Sequence, residues 1–311
     1  MRILYVENPP KSYQKNDLQK GFEEMKKIMY LLSAALMMCG MLMGLTACGG
    51  DEPATNGGNT DEKPVLRVGM ECGYAPYNWA QADESNGAVP IVDSPQYANG
   101  YDVMMAKYLA DKIGYDLEIH KIDWDSLPIA VQSGVIDCVI AGQSITAERL
   151  QTVDFTTPYY YASIVAVTRD DTAYANATKV ADLAGATCTS QINTVWYDAM
   201  LPQIPDANIQ PATESAPQML VALNSGAVDL VCTDEPTAMA AKLVYPNFVL
   251  LDMEEGADFE ASEEDINIGI SLKKGNTELL DKLNGALAEL TPENFTEMMN
   301  EAIAVQPLTN E

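Results

Sequence analysis

One stretch of text occurs twice in this chain. Pro128-Ile129-Ala130-Val131-Gln132-Ser133-Gly134-Val135-Ile136-Asp137-Cys138-Val139 returns as Met219-Leu220-Val221-Ala222-Leu223-Asn224-Ser225-Gly226-Ala227-Val228-Asp229-Leu230-Val231, an offset of 92 residues from Ser133 to Ser225. Each copy reads as an apolar helix ended by Ser-Gly, a two-residue step, an aspartate, and a β-run entering a buried parallel strand. Two such units predict two similar lobes, each a small parallel sheet with helices.

The text around the first copy agrees. Val65 to Met70 and Leu117 to Ile119 read as strands, and so does Val135 to Ile140. Asp102 to Ile113 reads as a helix with Val103, Ala106, Leu109, Ala110 and Ile113 on one face and Gly114 as its C-cap. In open α/β sheets ligands gather beyond the carboxyl ends of strands. The segments Ala141-Gly142-Gln143-Ser144 and Thr233-Asp234-Glu235 therefore face a common cleft, with Gly142 and Asp234 at equivalent positions.

Strand exits carry the residues able to hold a small zwitterion. Gly142 to Arg149 follows a strand and opens a short helix, so its amides and the Arg149 guanidinium form an anion site. The competing reading pairs Arg149 with a surface acid. Only Arg67, Arg149 and Arg169 follow Cys48, which favours a functional role for an arginine at a strand exit. Asp234 is a counter-ion for an ammonium group, or an N-cap ahead of Pro236. Tyr74, Tyr77 and Trp79 crowd the turn after the first strand, where they stack on a ligand or pack in the core. Trp124 supplies another wall.

The amino terminus is an address. Met25-Lys26-Lys27 and the apolar run from Ile28 to Leu45 read as a secretory signal over residues 25–47. Leu45-Thr46-Ala47-Cys48 resembles the lipobox of bacterial lipoproteins, which implies lipidation of Cys48 and anchoring to the cell membrane from outside the cytoplasm. Residues 1–24 are polar and unlike an export signal, and are read as a start-site artefact. Residues 48–64 are rich in Gly, Pro and polar residues and read as a flexible linker.

The 18 basic and 45 acidic residues leave a formal charge of −27. That excludes a phosphate-binding face for nucleic acid and repels anionic lipid headgroups. The single histidine, His120, is followed by Lys121 in a strand-like run, which disfavours a Ser-His-Asp or Cys-His site, and no P-loop or zinc spacing is present. No metal or cofactor is expected. The acidic run from Asp252 to Asp265 is read as a solvated loop, because its spacing matches no calcium loop. Cys72, Cys138, Cys188 and Cys232 read as buried thiols, with a Cys188–Cys232 disulfide left open.

Several of these segments together resemble the bacterial extracellular solute-binding proteins of family 3, the polar amino-acid receptors of ABC importers. They are Tyr74-Ala75-Pro76-Tyr77, Gly100-Tyr101-Asp102-Val103, Ser133 to Asp137, Ser144-Ile145-Thr146-Ala147-Glu148-Arg149, and Phe155-Thr156-Thr157-Pro158-Tyr159-Tyr160. The resemblance spans about Val65 to Leu290. It implies an α/β, two-lobed periplasmic-binding-protein-like (type II) fold whose hinge is two crossover strands. Lobe one would be residues 65–166 and 269–311, and lobe two residues 167–268, with crossings near Ser163 to Thr168 and Ile268 to Leu272. It implies an amino-acid ligand and permease subunits as partners.

Residue roles follow from the same resemblance. Arg149 and the Ser144 amide would hold the ligand carboxylate, completed by Asn193 and Thr194 from the second lobe. The Gly142 carbonyl and Asp234 would take the ammonium. Tyr74, Tyr77 and Trp124 would sandwich the side chain, and Glu71 would reach its far end. The chain departs from the family pattern at Met104, where another acid is usual, and at Ile192, where a glycine is common. The loop Gln81 to Asn99 is long and is expected to shape a rim of the cleft.

An acid at Glu71 suits a guanidinium, ammonium or amide and disfavours glutamate or aspartate. The expected ligand is arginine, lysine or histidine, then glutamine, then a cystine-like molecule. If Glu71 turns away to backbone amides, the pocket is apolar instead. The rival function is a cyclohexadienyl-acid dehydratase on the same two-lobed fold.

Overall fold

The computed structural model describes residues 63–307. The expected signal segment, Cys48 and all but the end of the linker lie outside the described residues.

Two five-stranded sheets organise the chain. The first runs in the order Asp116–Lys121, Val65–Met70, Cys138–Val139, Ser271–Lys273, Val153–Phe155. Its first three strands are parallel, and Ser271–Lys273 is antiparallel to both of its neighbours. The second runs Asn208–Ile209, Thr187–Thr189, Leu230–Asp234, Ile164–Arg169, Phe248–Leu250. Here too three parallel strands meet an antiparallel one.

Leu66, Val68 and Met70 are fully buried. Each contributes about 1.5–3 kcal/mol through burial of its side chain. The helix Tyr101–Ile113 covers this sheet with Val103, Ala106, Leu109 and Ala110, joined by Tyr101 and Met105, while Ile113 at its end is half-buried. It starts at Gly100, where φ is 121° and a Cβ would lie 2.3 Å from the Tyr77 carbonyl oxygen. It ends at Gly114 in the left-handed conformation. Helices Thr277–Leu287 and Pro292–Val305 pack against it.

The echo extends to hydrogen bonds. In lobe one, Asp137 N donates to Arg67 O at 2.8 Å, and the Asp137 carboxylate accepts from Arg67 N at 2.9 Å. In lobe two, Asp229 N donates to Thr187 O at 2.7 Å, and the Asp229 carboxylate accepts from Thr187 N at 2.9 Å. Each aspartate thus bonds reciprocally with the first parallel strand of its own sheet. The helices Leu127–Ser133 and Ala216–Asn224 end just before, with Gly134 and Gly226 at positive φ. Val135 to Asp137 turn rather than extend, so the strand expected over Val135 to Ile140 shortens to Cys138–Val139.

The lobes join through a two-stranded ladder in which Asn267 pairs with Tyr161 and Ile268 with Tyr160. Ile164–Arg169, where the first crossing was expected, is a strand of the second sheet, and Ser271–Lys273 belongs to the first. The long loop before Asn99 folds into a small antiparallel sheet with Gly73–Tyr74. All four described thiols are free and buried, so Cys188 and Cys232 form no disulfide. Among the described residues no helix is long and apolar enough to cross a membrane.

Removing either reciprocal carboxylate strands a backbone N–H of a parallel strand. Asp137→Ala and Asp229→Ala are each expected to lower stability by about 1–3 kcal/mol. Urea unfolding checks this; an unchanged midpoint for both variants would contradict the pairing.

Candidate ligand-binding cleft

The cleft begins where the first strand ends. Cys72 adopts φ 52°, and its N–H donates to Asn78 Oδ1 at 2.7 Å. This reverses the chain into a short hairpin and stacks Tyr74 on Tyr77, with ring centroids 4.7 Å apart and planes 9° from parallel. Tyr74 lies directly on Gly142, whose φ is 61°; a Cβ there would sit 2.5 Å from Tyr74 Cε1. Glycine is required at this point by both conformation and space.

A chain of hydrogen bonds holds Gly142. Its N–H donates to the Tyr159 hydroxyl at 3.0 Å, and Tyr159 donates to Asp102 Oδ1 at 2.6 Å. Asn78 Nδ2 donates to the other Asp102 oxygen at 2.8 Å. Asp102 is fully buried. Burial pushes its carboxyl up to about 6, against the lowering effect of the Tyr159 and Asn78 bonds.

Arg149 sits in the neck between lobes. Its Nη1 donates to Ser144 O and its Nη2 to Asn193 O, both at 2.8 Å. The guanidinium lies 5.6 Å from the centre of the Trp124 ring. Burial pushes its pKa down to about 10, which leaves it a cation at neutral pH. Ser144 faces Ile268 in an isolated bridge flanked by bonds from Gly269 N to Gln143 O and from Ile145 N to Asn267 O. In that register the Ser144 N–H points away from the hinge strand. Its hydroxyl donates to Asp265 O at 3.2 Å.

The second lobe supplies the facing wall. Asn193 takes φ 57°, so the left-handed residue of this loop is Asn193, a type that tolerates it, rather than Ile192. Ile192 O accepts from Trp124 Nε1 at 3.0 Å, and Asn193 Nδ2 donates to Asp125 at 2.9 Å. Thr194 Oγ1 donates to Gln191 O at 2.7 Å. Asp234 ends its strand and does two things at once. Its Oδ1 caps the helix Glu235–Val244 by accepting from Thr237 N at 2.9 Å, and its Oδ2 accepts from the Tyr74 hydroxyl across the cleft. Burial holds its carboxyl above the usual range.

Seven of the expected residues line one cavity: Glu71, Tyr74, Trp124, Gly142, Ser144, Arg149 and Thr194. Tyr77 is fully buried behind Tyr74, away from the cavity, with its hydroxyl unpartnered among the described residues. Asp234 lies at the tip of Tyr74, and Asn193 turns its side chain toward Asp125. Gln191, Val195 and Trp196 also line the cavity and were not expected. Gln191 stands four residues after Thr187 as Glu71 stands four after Arg67, so the echo, extended to the first strand of each lobe, points to it. The Trp196 ring lies 5.9 Å from Tyr74. The cavity measures about 20 Å³. That is room for about one water. Among the described residues no cluster of His, Cys, Asp or Glu could hold a metal ion.

Gly142→Ala forces the Tyr74 ring off its stack with Tyr77. The expected result is a loss of about 1–3 kcal/mol of stability together with a changed near-ultraviolet circular dichroism spectrum. An unchanged spectrum and unfolding midpoint would contradict the contact.

Known proteins resemble this chain in sequence and in fold. The arginine-binding extracellular protein ArtP of Bacillus subtilis (strain 168) is 29% identical over 270 residues, 86% of this chain and 93% of that protein. The crystal structure of AbpA, an amino acid ABC transporter substrate-binding protein from Streptococcus pneumoniae Canada MDR_19A bound to L-arginine, superposes with a TM-score of 0.65. It is 25% identical and covers 77% of this chain and 94% of its own. AncCDT-1, an ancestral amino-acid-binding protein and precursor of cyclohexadienyl dehydratase, gives a TM-score of 0.62 at 26% identity over 77% of this chain and 95% of its own. The family model for bacterial extracellular solute-binding proteins, family 3, matches residues 66–302, and the chain belongs to that family.

Proposed function

We propose that this chain is the extracytoplasmic receptor of an ABC importer for a polar amino acid, cationic by preference. The charge inventory of the cleft carries the reading. The charged groups that line the cavity are Arg149 and Glu71, and a second carboxylate, Asp234, lies just beyond it at the Tyr74 hydroxyl. A cationic amino acid is their complement: one carboxylate and two cations. Arg149, with the Ser144 N–H and Thr194, takes the carboxylate. Asp234 and the Gly142 carbonyl take the ammonium, displacing the Tyr74 hydroxyl. Glu71 meets the side chain, with Tyr74, Trp124 and Trp196 as apolar walls. The arginine named for ArtP and bound to AbpA supports the same ligand class.

Binding is coupled to hinge motion at Tyr160–Tyr161 and Asn267–Ile268, and the closed form is the one presented to permease subunits. A lipid on Cys48 holds the receptor at the membrane. The kinship with AncCDT-1 favours a second reading, a dehydratase on the same fold, which turnover of prephenate or arogenate by the purified chain distinguishes.

Arg149→Ala removes the charge-assisted contact to the ligand carboxylate. The expected loss is about 2–5 kcal/mol, roughly 30-fold to several thousand-fold in affinity for L-arginine by calorimetry. Near-wild-type affinity would place the anion site elsewhere.

A further inference from the structure

We propose that Glu71 makes ligand choice in this cleft a function of its own protonation: ionised, it selects a cationic side chain; protonated, it rejects that side chain and leaves an amide side chain favoured. The inference rests on the amino-acid-binding reading above.

The geometry around Glu71 is that of a carboxylate without a counter-ion. It lines the cavity with Tyr74, Trp124 and Trp196. Its hydrogen-bond donor is the neutral Gln191 amide, with Nε2 at 3.2 Å from Oε2. Among the described residues no lysine, arginine or histidine forms an ion pair with it. The charged groups that act on it are Asp123 and Asp125, which repel negative charge, and Lys121, which only partly offsets them. Arg149, elsewhere in the cavity, is spent on the Ser144 and Asn193 carbonyls. An anion so placed is stabilised either by a proton or by a ligand cation, and the two compete for the same oxygens. Burial, reinforced by Asp123 and Asp125, pushes the carboxyl up to about 7, so the competition falls near neutral pH.

Gln191 suits both states. Its Nε2 donates to the carboxylate, and its Oε1 accepts from the carboxylic acid once the amide turns. The same two-sided chemistry lets a ligand amide bond either form of Glu71, whereas a guanidinium or ammonium bonds only the ionised form.

The sign follows from linkage. A bound cation favours ionised Glu71 and expels its proton, so affinity for a cationic ligand is full above pH 7 and falls as pH drops below it. Asp234 and Asp102, also raised by burial, act on the region that meets the part common to all amino acids, so their titration cancels when two ligands are compared.

The test is the ratio of L-arginine to L-glutamine affinity, by calorimetry on the full chain at pH 7.5 and 5.5, for wild type and Glu71→Gln. The expected ratio falls roughly 20-fold in wild type and is flat in the variant. A constant wild-type ratio with both ligands bound overturns the inference and leaves the binding reading intact. An equal fall in the variant also overturns it, since the titrating group is then another. Binding of neither ligand at either pH sinks the amino-acid reading and this inference together.

Discussion

The Asp102 carboxyl stands where three parts of the molecule meet. Through Asn78 it secures the turn that carries Tyr74, and through Tyr159 it reaches both the Gly142 amide and the start of the hinge strand. Tyr159 N also donates to Ile268 O at 2.8 Å on the second crossing. A buried carboxyl with only neutral donors is costly, and such a group persists when every bond it makes is satisfied. Here the two side-chain bonds measure 2.6 and 2.8 Å. The first-lobe half of the cleft and the hinge ladder are therefore tied together through one carboxyl.

Electrostatics then separates roles among like charges. The chain carries many more acids than bases, yet in the cleft the acids are spaced and the single arginine is kept apart from them. Asp234 is tied to a helix N-terminus and to Tyr74, which gives it donors without a cation. Glu71 has one amide. Arg149 is bonded to carbonyls from both lobes rather than to a carboxylate. Each of these charged groups is thus hydrogen-bonded to neutral partners and forms no ion pair with another.

Much of this was legible from one repeated phrase. The Ser-Gly-x-x-Asp joint located the lobes, the parallel strands and the exits at Gly142 and Asp234, because a helix stop and a buried strand leave strong local signals. What stayed hidden depends on pairing across sequence. The crossing at Tyr160–Tyr161 is defined only by its ladder with Asn267–Ile268, residues more than a hundred positions away. Tyr77 and Tyr74 look alike in the sequence, and only the stack against Gly142 decides which ring meets the cavity. Trp196 enters through a π-turn over Trp196–Met200, whose irregular spacing no apolar period announces.

As proposed, the cleft complements a zwitterion bearing a second positive or amide group. A thermal-shift screen of the twenty amino acids tests it most directly, since ligand at about 100 times its dissociation constant stabilises the folded chain by roughly 2.7 kcal/mol. The largest shifts are expected from arginine, lysine or histidine, with glutamine next. A clear shift with glutamate or leucine, and none with cationic or amide side chains, would contradict it.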